Sequence, residues 1–380
     1  MHKDKNIVII GAGPVGCYLG QLLKSFGYNT VIIEEHSEVG KPVQCAGIVG
    51  KDVFSSTQFP TPKNSILNQI DGAELSYNGS SFTIHRPKVA LIIDREKFDK
   101  ELSKGLNIVF DAKFTDYEKK NGKVIVKTTK GNYEADYLVG ADGPNSMVRK
   151  KAKLRANMKL YKSMQYRVRM DMPENNLVKV DYIRPFSFFT WMIPEGNGMV
   201  RIGTISDRPF RDLEKFIEKN HIKKDIVEKF AGPIPIGTCE LANGSVAVVG
   251  DAACQLKPIT SGGIYYGIKS AEILAEAIKN DSLSLYRRGW DEAFGKEVRL
   301  CLMMRNMLDN SPQDVYDKLF SYLKENAHMI EKIGDFENHS SIAWGLAANP
   351  STYGTMGAFF WGQMRRPLNT IKNMMKGLKK

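Results

Sequence analysis

"NIVIIGAGPVGCYLGQLLKSFGYNTVIIEEH", residues Asn6 to His36, decides the fold. Its opening Ile/Val run suits a strand buried on both faces of a parallel sheet. Gly11, Gly13 and Gly16 follow in G-x-G-x-x-G spacing: one for a tight turn, one for close approach of a pyrophosphate, one for helix–strand packing. Pro14 suits a first helical turn, and the amides of Val15 and Gly16 then face an anion at the helix start. A helix with Leu19, Leu22, Leu23 and Phe26 on one side ends at Gly27. The next strand, Thr30–Ile33, delivers Glu34, a carboxylate placed to accept from a ribose diol. Strand, glycines, helix, strand and acid in that order specify a dinucleotide site.

The rest of the chain sets the frame. Its 380 residues hold one large or two ordinary domains with a substantial core. Five cysteines, Cys17, Cys45, Cys239, Cys254 and Cys301, form no C-x-x-C pair, which argues against a disulfide framework or a zinc site and for a reducing, cytoplasmic setting. No metal site is expected. The first strand begins too early for a signal peptide, and no apolar run has the length of a membrane span. A net charge of +12 favours an anionic partner such as a phospholipid surface. No nucleic-acid motif accompanies that charge, so no nucleic acid is expected.

Two further segments choose FAD over NAD. "ADYLVGADGPNSMVRK" (Ala135–Lys150) is a strand running into Ala141-Asp142-Gly143 and a short helix. "GSVAVVGDAACQLKPITSGGIYYGIKSAEILAEAI" (Gly244–Ile278) is a buried strand ending in Gly250-Asp251, then a Pro/Gly loop and a long helix. Asp251 at a strand end can hold ribityl hydroxyls, and the amides of Gly262, Gly263 and Ile264 can face a pyrimidine ring. A nicotinamide site needs neither. The order of these motifs resembles the flavoprotein hydroxylase superfamily, and Arg95, opening a helix in "IIDREKFDKEL" (Ile92–Leu102), resembles its arginine beside the cofactor.

Between these motifs the periodicity changes to strand-like runs at Ser163–Asp171, Leu177–Ile183, Phe189–Ile193 and Met199–Ser206, separated by turn signals. We expect an antiparallel sheet inserted into an α/β Rossmann-type FAD-binding domain, followed by a helical C-terminal region. The boundaries read as 1–160 plus 235–282 for the cofactor domain, 161–234 for the substrate sheet and 283–380 for the helices. "FSFFTWMIPEGNGMVRIG" (Phe186–Gly203) carries Phe186, Phe188, Phe189, Trp191, Met192 and Met199, suited to an apolar slot.

The chain resembles the geranylgeranyl reductase family, including the archaeal digeranylgeranylglycerophospholipid reductases. The resemblance rests on "EVGKPVQCAG" (Glu38–Gly47), "MQYRV" (Met164–Val168), "FTWMIPEGNGMVRIG" and "VGDAACQLKPITSGGI", and spans residues 5 to about 280. Lys257 stands where the family usually has an acid, and Ser261 where it usually has a glycine. The resemblance implies FAD as cofactor and stepwise saturation of prenyl C=C bonds, with the hydride coming from the reduced flavin. It places Cys45, Ala46 and Ile48 against the flavin, Cys45 also as a catalytic candidate and Phe114 within the cofactor set. Tyr166, Phe189 and Trp191 become the substrate-lining candidates. Cys254 is a conceivable redox companion for Cys45.

The implied partners are a prenylated glycerophospholipid, an external donor (ferredoxin, a deazaflavin or NAD(P)H) and an anionic membrane surface. The tail "MRRPLNTIKNMMKGLKK" (Met364–Lys380), with Phe359, Phe360 and Trp361 before it, has the pattern of a basic amphipathic helix at the edge of a membrane, which suggests peripheral association. Two rivals share the motifs. One is a flavin monooxygenase or halogenase, although a halogenase would place a tryptophan at Phe189. The other is a non-catalytic flavin- and lipid-binding electron-transfer protein.

Overall fold

The structure is a computed structural model, and it describes residues 5–184 and 188–342. Strand β1 (Asn6–Ile10) is buried almost end to end, as its Ile/Val run demands. Helix α1 (Pro14–Ser25) leads to β2 (Asn29–Ile33), which pairs parallel to β1 with Ile10 opposite Ile33. A short β3 (Ile48–Gly50) and a single helical turn α2 (Asp52–Ser55) precede a long hairpin, β4 (Ile66–Tyr77) and β5 (Ser80–Ile93). Asn78 and Gly79 close that hairpin, both with positive φ (48° and 80°), the geometry a two-residue turn between twisted strands requires.

Helix α3 (Arg95–Ser103) is capped by Asp94, whose side chain accepts from the Lys97 amide. After β6 (Asn107–Val109) the chain makes a three-stranded meander, β7 (Phe114–Lys120), β8 (Lys123–Thr128) and β9 (Gly131–Ala135), then returns as β10 (Tyr137–Gly140) beside β1. Helix α4 (Met147–Lys151) is followed by β11 (Ala156–Arg169), β12 (Leu177–Arg184), β13 (Phe188–Gly196), β14 (Met199–Ile205), helix α5 (Pro209–Lys219) and β15 (Ile226–Cys239). Strands β16 (Ala242–Asn243) and β17 (Val246–Val248) lead to α6 (Ile264–Lys279). Helices α7 (Ser284–Trp290), α8 (Lys296–Asp309), α9 (Gln313–Glu325) and α10 (Ala327–Ile333) complete the described chain.

The six-stranded sheet runs β16-β17-β10-β1-β2-β6, parallel except for β16, with α1 and α6 packed against each other beside it. The second sheet has eight strands in the order β15-β11-β14-β13-β12-β4-β5-β3. It is larger than the 161–234 range expected from sequence. Strand β11 begins at Ala156, β15 runs to Cys239, and β3, β4 and β5 come from the stretch assigned to the cofactor domain. The physical reason is the edge of β12. Its apolar residues Leu177, Val178 and Val180 would border an open ladder, and β4 pairs with it in parallel, Val178 opposite Ala73.

One face of this sheet packs under α5 through Tyr166, Val168, Ile202, Leu213 and Phe216. The opposite face meets the Ala46–Ile48 loop, Leu256, Leu302 of α8 and Phe336 in a second apolar cluster. The site lies where that cluster borders the cofactor domain. Among the described residues no helix is long and apolar enough to cross a membrane. Phe186 and the whole Phe359–Lys380 tail lie outside the described residues.

Candidate flavin and substrate site

The phosphate end is built from the first turn. Gly11 has φ +103°, and a side chain there would collide with the Ala141 carbonyl, so β1 and the Ala141–Gly143 loop pass closely. At Gly16 an added Cβ would lie 2.1 Å from the Gly11 carbonyl oxygen, whereas at Gly13 it would meet nothing within 4 Å. That open space lies in front of the α1 N-terminus, whose first amides have no acceptor within their own helix. Val15 contributes its amide to this end. Its side chain is wedged between Gly250 and Gly267, where any Cβ would crowd it, and so locks α1 to α6. Glu34 Oε2 accepts from the Ala12 amide at 2.7 Å and Oε1 from the His36 amide at 3.0 Å, which places the carboxylate beside the glycine turn. Phe114 is buried at the start of β7, two residues after Ala112, whose amide donates to the Glu34 carbonyl.

Asp251 of the third motif and Cys45 both feel the charge of Arg95. Its guanidinium makes a two-pronged bond to Asp99, 3.1 Å and 2.8 Å, with both side chains nearly out of solvent. Burial alone would lower the Arg95 pKa, but the Asp99 carboxylate and the Cys45 sulfur outweigh it and hold the group above its ordinary value. Burial likewise pushes the Asp251 carboxyl up, with Arg95 pulling against it. Asp251 Oδ1 would lie 2.8 Å from a Cβ at Gly263, the residue that precedes the α6 start at Ile264. Ser261, at φ +65°, has a buried hydroxyl with no hydrogen-bond partner among the described residues. These features fit FAD: a roomy glycine turn, a carboxylate at the β17 end and an unsatisfied hydroxyl beside the helix-start amides.

Cys45, Ala46 and Ile48 sit where the cofactor domain meets the large sheet. Cys45 Sγ accepts from the Gly47 amide at 3.3 Å. The loop is held from the sheet side by two polar clamps. Arg201 donates to the Ala46 carbonyl at 2.8 Å and the Ile93 carbonyl at 3.2 Å, and the close contact leaves Gly47 no room for a Cβ. Gln165 donates to the Cys45 carbonyl at 3.2 Å and accepts from Trp191 Nε1 at 3.0 Å. Arg201 also shares Glu195 with Arg167. Burial would raise the Glu195 carboxyl, but the two arginines hold it below the usual carboxylate range.

Trp191 and Phe189 share one face of β13, ring centroids 5.9 Å apart, in the same apolar cluster as Ala46, Ile48 and Leu256. Tyr166 does not join them. Side chains alternate along a strand, so with Gln165 facing the Cys45 loop Tyr166 must face the other way. It packs beneath α5 and its hydroxyl donates to Glu214 at 3.0 Å, which removes it from the substrate wall. Cys254 is not placed as a redox companion either: its sulfur contacts Met158 Sδ at 3.2 Å, and burial pushes its thiol up to about 12.

Sequence reasoning missed Gln165, Arg201 and Glu195. The alternating "SMQYRVRMD" marks Gln165 and Arg167 as one face of a strand, but polar residues there read as a solvated face. It also left Lys257 unexplained. Lys257 pairs with Glu337 at 3.1 Å, donates to the Phe336 carbonyl at 2.8 Å and lies 4.0 Å from the Phe336 ring centre, with both charged side chains almost wholly buried. Burial lowers the Lys257 pKa against the pull of Glu337, and raises that of Glu337 against Lys257.

Similar proteins are known. The FAD binding domain family model matches residues 4–49 and 98–230. An uncharacterized protein of Methanocaldococcus jannaschii is 31% identical, the alignment covering 90% of this chain and 94% of that one. A digeranylgeranylglycerophospholipid reductase of Methanothrix thermoacetophila is 29% identical over 83% of this chain and 90% of its own length. The chain belongs to the geranylgeranyl reductase family. It is an FAD-dependent oxidoreductase. A geranylgeranyl bacteriochlorophyll reductase-like crystal structure from Thermoplasma acidophilum shares its fold, with a TM-score of 0.78, 22% identity and coverage of 94% of this chain and 99% of that one.

Proposed function

We propose that this flavoprotein saturates isolated C=C bonds in the geranylgeranyl chains of a glycerophospholipid. The observation that carries the reading is the apolar cluster in which Ala46 and Ile48 of the cysteine loop meet Phe189, Trp191 and Ile193 of the sheet. When bound and reduced, FAD supplies the hydride. The chain's own residues do the rest. An isolated alkene offers no carbonyl to polarise, so what accelerates its reduction is a dry slot that holds it in a near-attack geometry. Phe189 and Trp191 provide that wall, and their ring faces tolerate positive charge developing on the alkene. Cys45, at the edge of the slot beside Arg95, is our candidate for delivering the proton to the second carbon. The electron donor would be ferredoxin, a deazaflavin or NAD(P)H, and the basic tail at Met364–Lys380 would hold the protein on an anionic membrane.

The test is lipid mass spectrometry. The FAD-loaded protein is incubated anaerobically with dithionite and a digeranylgeranylglycerophospholipid. Mass gains in steps of two hydrogens are expected. An unchanged lipid would reject the reading in favour of flavin and lipid binding without catalysis.

A further inference from the structure

Gln165 is buried in the middle of β11, yet neither amide hydrogen bond is used for the sheet ladder. One goes to the indole N–H of Trp191 on β13, across the intervening β14, and the other to the Cys45 carbonyl on a loop of the cofactor domain. The indole ring lies against Gly203 of β14, where a Cβ would stand 2.3 Å from it, so Trp191 has no room to retreat towards the sheet. Any chain entering the apolar cluster must therefore move the indole sideways or press on it, and its hydrogen-bonded tether is Gln165. We propose that Gln165 is a positioning residue that couples occupancy of the slot to the placement of Cys45. Resting on the functional reading above, the coupling gives the enzyme a physical link between a seated prenyl chain and the thiol at the slot's edge.

The chemistry is that of a two-ended amide. A glutamine amide accepts from an indole N–H through its oxygen and donates to a carbonyl through its nitrogen at the same time, and an asparagine is one methylene shorter. Arg201 grips the neighbouring Ala46 carbonyl but is committed to Glu195; among the described residues its hydrogen bonds go to Glu195, Ala46 and Ile93. Arg201 thus fixes the loop, whereas Gln165 connects it to the wall.

The thiol itself reports the result, because Cys17, Cys239, Cys254 and Cys301 are buried while Cys45 is partly exposed. The rate of iodoacetamide modification at Cys45 is followed by peptide mass spectrometry in the FAD-loaded full chain, with and without geranylgeraniol. In the wild type the alcohol should change that rate. Gln165→Met, similar in volume but without either bond, should raise the lipid-free rate about fivefold, the size expected for losing one net hydrogen bond to the cysteine loop, and abolish the response to the alcohol. Trp191→Phe, which deletes the indole donor and keeps an aromatic side chain, should weaken the response and guards against misfolding of the first variant. A lipid-free rate in Gln165→Met equal to wild type would overturn the tether, whatever the slot binds. A wild-type rate indifferent to geranylgeraniol would count against the prenyl reading and the coupling together, while the lipid-free comparison would still stand on its own.

Discussion

Glu195 receives two arginines that approach from different strands, Arg167 on β11 and Arg201 on β14, and Arg201 in turn fastens the cysteine loop. A buried carboxylate in that role is costly to remove, since buried Arg201 loses its carboxylate and Arg167 keeps only Glu228 at 3.8 Å. Glu195→Gln should destabilise the protein by about 3–5 kcal/mol, read from urea unfolding at neutral pH. Its folded pKa lies below the unfolded one, so its stabilisation is complete above the ordinary carboxylate value and is lost as pH falls through the folded value. The gap between wild type and variant should accordingly narrow in acid. A gap that stays constant down to the acid transition would show that the charge is not what Glu195 contributes. At this scale the sequence was legible where geometry is local. Gly11, Gly16 and Glu34 announce their places in the fold through spacing along one β-α-β unit. Gln165 and Tyr166 do not. They are neighbours on one strand, and deciding which of them faces the cysteine loop needs the position of another part of the chain.

At the scale of elements one local signal is clearer. Asn78-Gly79 between two alternating runs is a strong two-residue hairpin signature, and the structure builds β4 and β5 around it. What the pattern could not give is β4's neighbour, because its parallel pairing with β12 spans about a hundred residues of sequence. The segment after α10 is another long-range case. Phe336 and Glu337 are pinned to the loop before α6 by Lys257, and the Tyr266 hydroxyl of α6 donates to the Glu337 carbonyl at 3.0 Å. Lys257→Met alone should cost about 3–5 kcal/mol by stranding Glu337, while adding Glu337→Leu should restore most of the loss. Thermal melts of the two single variants and the double give the coupling directly. Simple additivity would show that the pair does not act as a unit.

The whole molecule places an oxidoreductase core and an apolar sheet face to face, and the family resemblance in the sequence named that pairing before the contacts could be seen. The amphipathic tail lies beyond the described residues, so its role is tested in solution: deleting Met364–Lys380 should weaken binding to vesicles containing anionic phospholipid, with each basic residue near the surface worth about 1 kcal/mol. Equal sedimentation of the truncated and full-length proteins with such vesicles would reject a membrane role for the tail. The central claim, that a reduced flavin faces a prenyl alkene across the Cys45–Trp191 slot, has a more direct measurement. Bound FAD is photoreduced without oxygen, a geranylgeranyl lipid is mixed in, and the flavin absorbance near 450 nm is followed (about the usual maximum of oxidised flavin). The account predicts that absorbance returns on adding the lipid alone. Return only after oxygen is admitted would contradict it and point to an oxygenase.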